Sequence, residues 1–225
     1  MSTTKALVNV VAGEKAKQEY AITGASHRAY AEACGAVYSL ITRDVVPDFP
    51  PAIKYLVNNA AMYYDQTLYL DVDTVITKLA PNIFEEVPLG HWGIVDELGL
   101  LSDAKPGYTE EQQDYADKIC DNLNWPRICL RFALNSGVML MPKQTDKLYW
   151  PPPRPVPNFW NLDQLFLSIR LQMTAQPMIC LDPRWNWCHS YRLFEQGVPN
   201  AFIIHLADAT DRVDQLQRLT RTYGL

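Results

Sequence analysis

Glycine is scarce and unpatterned here. The 225 residues hold ten, none arranged as G-x-G-x-x-G behind an apolar run, so dinucleotide binding through a glycine-rich phosphate loop is unsupported. Lys and Arg form no cluster and the formal charge is −5, which argues against a nucleic-acid partner. An anionic ligand would have to be met by a metal or by a few placed basic groups. Cysteine is sparse too: Cys34, Cys120, Cys129, Cys180 and Cys188 form no C-x-x-C and leave one thiol over, the pattern of reduced core thiols in a cytosol-like compartment. No apolar run approaches the roughly 20 residues of a membrane span, and no secretory leader is visible, so a soluble, cytoplasmic protein is expected. There is no internal repeat. What the chain does have is 48% hydrophobic and 20% charged residues, enough for one large α/β domain over residues 1–225.

The most informative segment is Tyr64 to Ile76, YDQTLYLDVDTVI. An apolar, β-branched run without Gly or Pro reads as a buried strand, and it ends in Asp71 and Asp73, which project to the same side if the segment stays extended. Two carboxylates held close repel unless a cation, a proton or a reaction offsets the repulsion. The pair reads either as a metal or catalytic site or as two solvated turn aspartates.

Around it the order is strand, helix, strand, helix, strand: Ala6–Val11, a helix over Tyr20–Ala33, Ala36–Thr42, a helix opened by Pro50-Pro51 and running through Tyr63, then the acidic strand. That alternation predicts a mostly parallel, Rossmann-like sheet with the acidic pair at a carboxyl end, where such sheets bind ligands. Ala12-Gly13 closes the first strand with residues small enough for a ligand to approach the backbone. Further on, Glu97–Trp125 reads as a surface excursion with one helix. Leu134–Pro142 (LNSGVMLMP) reads as a polar turn followed by a strand, and Pro151–Pro157 as a rigid loop. Asn161–Met173 and Thr210–Thr222 read as helices, Ala201–Leu206 as a final strand.

The order LYLDVDTVI, the acidic strand end Asp96-Glu97, LNSGVMLMP, NLDQL at Asn161–Leu165 and IIHL at Ile203–Leu206 resembles the GT-A nucleotide-sugar glycosyltransferases, most closely glycosyltransferase family 8, the glycogenin and galactosyltransferase-like enzymes. The resemblance implies a single GT-A (Rossmann-like) domain with a mostly parallel, mixed central sheet flanked by helices. It implies a nucleotide diphosphate sugar, usually a UDP-sugar, as donor. Asp71, Asp73 and His205 would then bind Mn²⁺ or Mg²⁺. Val11, Ala12, Gly13, Tyr20, Lys54, Val72, Asn135 and Ser136 would join the two aspartates in holding the donor. Asp163 and Gln164 would line the reaction centre, and the anomeric configuration would be retained. The acceptor, a carbohydrate, protein or small molecule, would be set by the loops Glu97–Trp125 and Lys143–Asn158. Carboxylates suit Mg²⁺ or Mn²⁺, and an imidazole tilts the preference toward Mn²⁺.

The chain departs from that family after His205. Leu206-Ala207-Asp208 stands where a glycine and then a lysine-proline-tryptophan element are usual, so phosphate neutralisation would fall to the metal plus another base, for which Arg212 is a candidate. Blander readings stay open: Asn135 capping a turn, Asp163 capping a helix, Lys54 as a solvated helix residue, Tyr20 as packing, and Trp185, Trp187 and Tyr191 as core rather than an acceptor platform. DVDTV also satisfies the haloacid-dehalogenase phosphatase signature, with Asp71 as nucleophile and Mg²⁺ shared with Asp208 or Asp211. A noncatalytic sugar-nucleotide-binding module is the third reading.

Overall fold

The computed structural model describes residues 3–44, 50–102, 105–143, 156, 161–188, 198–207 and 209–225. The expected loop Pro151–Pro157 (Val156 apart), most of Lys143–Asn158, Tyr191 and Asp208 lie outside them.

Strand β1 (Lys5–Ala12) is buried through its whole interior, as an apolar run in the middle of a parallel sheet should be. Helix α1 spans Gly13–Ala33 and so opens well before the expected Tyr20. Its first turns, GEKAKQEY, are good helix formers without an apolar stripe, so periodicity does not reveal them. Gly13, at φ 73°, lets the chain turn from strand to helix with no linker. After β2 (Val37–Arg43), the segment opened by Pro50-Pro51 is helical but tighter than expected: 3₁₀ over Pro50–Val57, then one α-turn, α2 (Asn58–Ala61).

The acidic strand is really two. Strand β3 (Gln66–Leu70) ends before the aspartates and β4 (Thr74–Ile76) starts after them, so Asp71-Val72-Asp73 is a turn rather than extended chain. The two strands belong to different sheets. Further elements are α3 (Ile83–Glu86), β5 (Trp92–Asp96), α4 (Glu97–Ser102), α5 (Tyr108–Leu123), β6 (Leu134–Pro142), α6 (Leu162–Met173), β7 (Met178–Cys180), β8 (Trp187–Cys188), β9 (Ile203–His205) and α7 (Arg212–Tyr223).

The main sheet has the order β2-β1-β3-β6-β5-β7. Only β6 runs against its neighbours β3 and β5, the other pairings being parallel. The smaller sheet is β4-β9-β8. Two expectations fail here. Leu134-Asn135-Ser136 is not a turn but the buried start of β6, opposite a register shift between Ile94 and Asp96. Their polar side chains suggest a loop only when their buried hydrogen bonds are unseen. Glu97–Trp125 is not one surface helix: α4 and α5 both pack inward through Leu98, Leu101, Tyr108, Ile119 and Leu123. In α5 these anchors alternate with acidic residues, which disguises a helix buried on one face.

Alternation along the strands feeds two cores. Leu7, Leu68 and Leu140 face Tyr30 and Ala31 of α1, whereas Val8, Tyr69 and Met139 face Ile119 of α5 and Phe166 of α6. Helix α7 buries Leu216 and Leu219 against Val75 and Ile204 of the smaller sheet. Among the described residues no helix is long and apolar enough to cross a membrane.

Candidate active site

The turn between β3 and β4 is fixed carbonyl by carbonyl. Asn9 Nδ2 donates to Leu70 O at 2.8 Å, Thr74 Oγ1 to Asp71 O at 2.7 Å, Thr23 Oγ1 to Val72 O at 2.8 Å and Leu206 N to Asp73 O at 3.1 Å. The buried ring of His27 lies 3.0 Å from Thr74 O through Nε2 and 3.1 Å from Asn9 Oδ1 through Nδ1. With its backbone held from β1, α1 and the residue after β9, the turn presents both carboxylates to the cleft.

His205, at the end of β9 and paired with Thr74, closes the group. Its Nε2 lies 3.5 Å from Asp73 Oδ1 and 3.8 Å from Asp71 Oδ2. One ligand atom from each of the three residues lies within 4.8 Å of the others. The ring's tautomer follows from its neighbours. Gly137 N donates to Asn135 Oδ1 at 3.0 Å, which identifies that atom as the oxygen; Asn186 Nδ2 donates to it at 2.8 Å, which turns Asn186 Oδ1 toward His205 Nδ1 at 3.0 Å. Nδ1 therefore carries the hydrogen in the neutral ring, and the Nε2 lone pair faces two carboxylates. Three acceptors converging on one point ask for a proton or a cation between them. Carboxylates this close repel by on the order of 3 kcal/mol at a protein-like dielectric. Gly137 makes room for the ring: a Cβ there would stand 2.1 Å from His205 Cε1. The donor set, two carboxylates and an imidazole oriented by an amide, fits Mn²⁺ or Mg²⁺.

Lys54 and Arg212 are each divided between two carboxylates. Lys54 Nζ donates to Asp71 Oδ2 at 2.9 Å and Ser136 Oγ at 2.8 Å and lies 3.2 Å from Asp163 Oδ2. Ser136 Oγ donates to Asp163 Oδ2 at 2.6 Å. Tyr69 OH donates to Asp71 Oδ1. Arg212 Nη1 lies 2.8 Å from Asp73 Oδ2 and 3.4 Å from Glu19 Oε1. Burial works against the Asp73 carboxylate, but the combined pull of His205, Arg212 and Lys54 outweighs it and holds the group well below the usual carboxylate range. Burial likewise disfavours the Lys54 ammonium, yet Asp163 and Asp71 raise it above the ordinary lysine value. For His205 burial is outweighed by Asp73 and Asp71, which raise it.

Two cavities meet at this cluster and share Lys54, Asp71, Asp73 and Arg212. One, of about 200 Å³, is polar, with Asn135, Ser136, Asp163, Gln164, Glu97 and His205 on its wall. The other, of about 230 Å³, runs over Val10, Ala12, Ala16, Tyr69 and Val72. Gln164 is fixed at both ends of its amide, accepting from Ser136 N at 3.1 Å and donating to Glu97 Oε2 at 3.2 Å. Asp163 lies in the first turn of α6, where Asn161 rather than Asp163 holds the cap position.

Of the residues named from the sequence, Val11, Gly13 and Tyr20 are not on either wall. Tyr20 sits on α1 with its hydroxyl accepting from Arg28 and paired with the Tyr38 hydroxyl, which donates to Asn9 Oδ1. Trp185 and Trp187 are buried, Trp185 edge-on to Phe202, so they are core and not an exposed platform. Glu19 was not foreseen, since a glutamate among polar helix residues carries no signal. Glu97 was visible only as an acidic strand end, and Gly137 only as the glycine of LNSGV.

No family model matches the chain, and no curated protein matches it significantly. Solved structures do. A glycosyltransferase involved in glycosylation of the major capsid of PBCV-1 superposes with a TM-score of 0.68 at 14% identity, over 97% of this chain and 100% of that one. The galactosyltransferase LgtC, in complex with donor and acceptor sugar analogues, gives 0.58 at 13% identity over 98% and 96%. The glycosyltransferase GlyE of Streptococcus pneumoniae TIGR4 gives 0.58 at 14% identity over 97% of this chain and 60% of that one. The fold is GT-A. Within that fold, the order of motifs read from the sequence coincides with one contiguous cleft.

Proposed function

We propose that the protein is a metal-dependent glycosyltransferase that transfers a sugar from a nucleotide diphosphate sugar, a UDP-sugar, to a carbohydrate, protein or small-molecule acceptor. The observation that carries this reading is the junction of two unlike cavities at Asp71 and Asp73, with His205 beside them on the polar side. A nucleotide sugar has the same layout: a flat base and ribose, a charged diphosphate, then a polyhydroxylated ring. The cavity over Val10, Ala12 and Val72 suits the nucleoside, and the cavity lined by Asn135, Asp163 and Gln164 suits the sugar.

Asp71, Asp73 and His205 would hold Mn²⁺ or Mg²⁺, which as a Lewis acid stabilises the negative charge that develops on the departing diphosphate. The protein's own residues do the rest. Lys54 adds a fixed positive charge beside the junction and, by pairing with Asp163, sets the orientation of that carboxylate. Asn135, Ser136 and Asp163 offer hydrogen-bonding groups for sugar hydroxyls. Gln164, clamped between Ser136 N and Glu97, presents a dipole that can stabilise an oxocarbenium-like centre. Retention of configuration is proposed on the sequence resemblance.

The test is the bond that breaks. Purified protein with Mn²⁺ should bind a nucleotide sugar and slowly hydrolyse it to free sugar and nucleoside diphosphate, water replacing the acceptor. A phosphatase would instead cleave p-nitrophenyl phosphate through an aspartyl-phosphate at Asp71 and be inhibited by beryllium fluoride. That outcome, with no nucleotide sugar bound, would overturn the proposal. The convergence of Asn135, Asp163 and Gln164 on the aspartates favours the transferase, because a phosphatase leaves those residues without a task.

A further inference from the structure

Arg212 is the last side chain to enter the cleft, from the first turn of α7, and its ion pairs with the described residues run through Nη1. Its Nη1 stands between Asp73 Oδ2 at 2.8 Å and Glu19 Oε1 at 3.4 Å. Its Nε is buried and has no hydrogen-bond partner among the described residues. A buried N–H left unpaired carries its desolvation penalty with no compensating bond, so a guanidinium kept this way is poised for an acceptor that the described residues do not supply. The side chain also lies on the wall of both cavities, at the junction where the diphosphate of the proposed donor would fall. Glu19 is itself buried, and burial followed by repulsion from Asp73 raises its carboxyl above the usual range. Two carboxylates thus share one cation.

Resting on the nucleotide-sugar reading above, we propose that Arg212 exchanges partners during donor binding: it is the counter-ion of Asp73 in the free protein, and it gives up Asp73 and turns its unpaired Nε–H edge to the diphosphate oxygens when a divalent cation and donor enter together. Glu19 keeps the guanidinium tethered throughout. The planar fork of arginine can address two phosphate oxygens through parallel N–H bonds in a fixed geometry, where a lysine offers a point charge. The arrangement also lowers the cost of a metal site without metal, since Asp73 is never left bare.

This exchange has a signature of opposite signs. In titration calorimetry, Arg212→Gln should bind Mn²⁺ alone more tightly than the wild type, about 3–10-fold, because a competing cation has left Asp73. At saturating Mn²⁺ the same variant should bind UDP about 10–100-fold more weakly, the scale of lost charge-assisted hydrogen bonds, while uridine affinity stays unchanged. Arg212→Lys should recover part of the UDP affinity. A uniform fall in both affinities, accompanied by a lower Tm, would make Arg212 a structural residue. A rise in both would make it a competitor of the metal and nothing more. Either result, or unchanged UDP affinity, overturns the exchange while leaving the transferase reading intact. If the wild type binds none of UDP, GDP and ADP with Mn²⁺ or Mg²⁺, the transferase reading falls and the exchange with it.

Discussion

The two walls of the cleft are made rigid by opposite means. On the wall of Asp71 and Asp73, backbone is what is held: each carbonyl from Leu70 to Thr74 has a partner from β1, α1, β4 or the residue after β9, and the carboxylates follow. On the wall of Lys54, Ser136, Asp163 and Gln164, side chains hold one another, largely across elements distant in the chain. A backbone-held wall keeps its shape when one functional group is changed. A side-chain-held wall shifts whenever any member is removed. The first suits an ion that needs fixed ligands, and the second suits a ligand rich in hydroxyls.

The largest effect expected from this contrast is at Asp73. Asp73→Asn should abolish Mn²⁺-dependent UDP binding while the circular dichroism spectrum stays native, because the turn does not depend on the carboxylate. Undiminished UDP affinity in calorimetry would remove Asp73 from the metal site. The backbone-held wall should instead fail under acid. Burial lowers His27 from about 6.5 to about 4, so the unfolded chain takes up a proton that the native ring refuses. Stability therefore falls as pH drops from about 6.5 to about 4 and levels off below, a loss of about 3 kcal/mol from this group. Urea unfolding across that range should show it, and His27→Gln should flatten it.

Next in size is Gly137→Ala, which would drive a methyl group into the His205 ring. It should cost about 1–3 kcal/mol and weaken Mn²⁺ binding, both measurable in one calorimetric series. His205→Ala should impair Mn²⁺-supported turnover more than Mg²⁺-supported turnover, roughly tenfold against a smaller loss, since a nitrogen ligand matters more to the softer ion. Equal losses with both metals would place the ring outside the ligand set. The mildest change, Ser136→Ala, tests the side-chain-held wall. It removes the hydroxyl shared by Lys54 and Asp163 and should cost about 1 kcal/mol, raising KM for the donor with little change in the Mn²⁺ affinity of the free protein. A fall in metal affinity would show that the two walls are coupled through Lys54.

Part of the cleft's lining was legible in the sequence because polar groups at the ends of buried strands are costly and so stand out: the aspartates after LYL, Asn135 and Ser136 before VMLM, His205 after II. The alternation of strands and helices likewise announced a mostly parallel α/β sheet. Local chemistry determined those features. Three others were decided only in three dimensions. The break between β3 and β4, which hands the chain from one sheet to another across the aspartates, depends on Thr74 pairing with His205 far along the chain. The Glu19–Arg212 pair joins residues 193 positions apart, each of which reads locally as an ordinary charge on a polar helix. Gly137 reads as a small residue in a strand until the His205 ring is seen against it. A sequence shows where burial of a polar group must be compensated, because that cost is local. Which partner supplies the compensation is a matter of topology, and only the folded chain contains it.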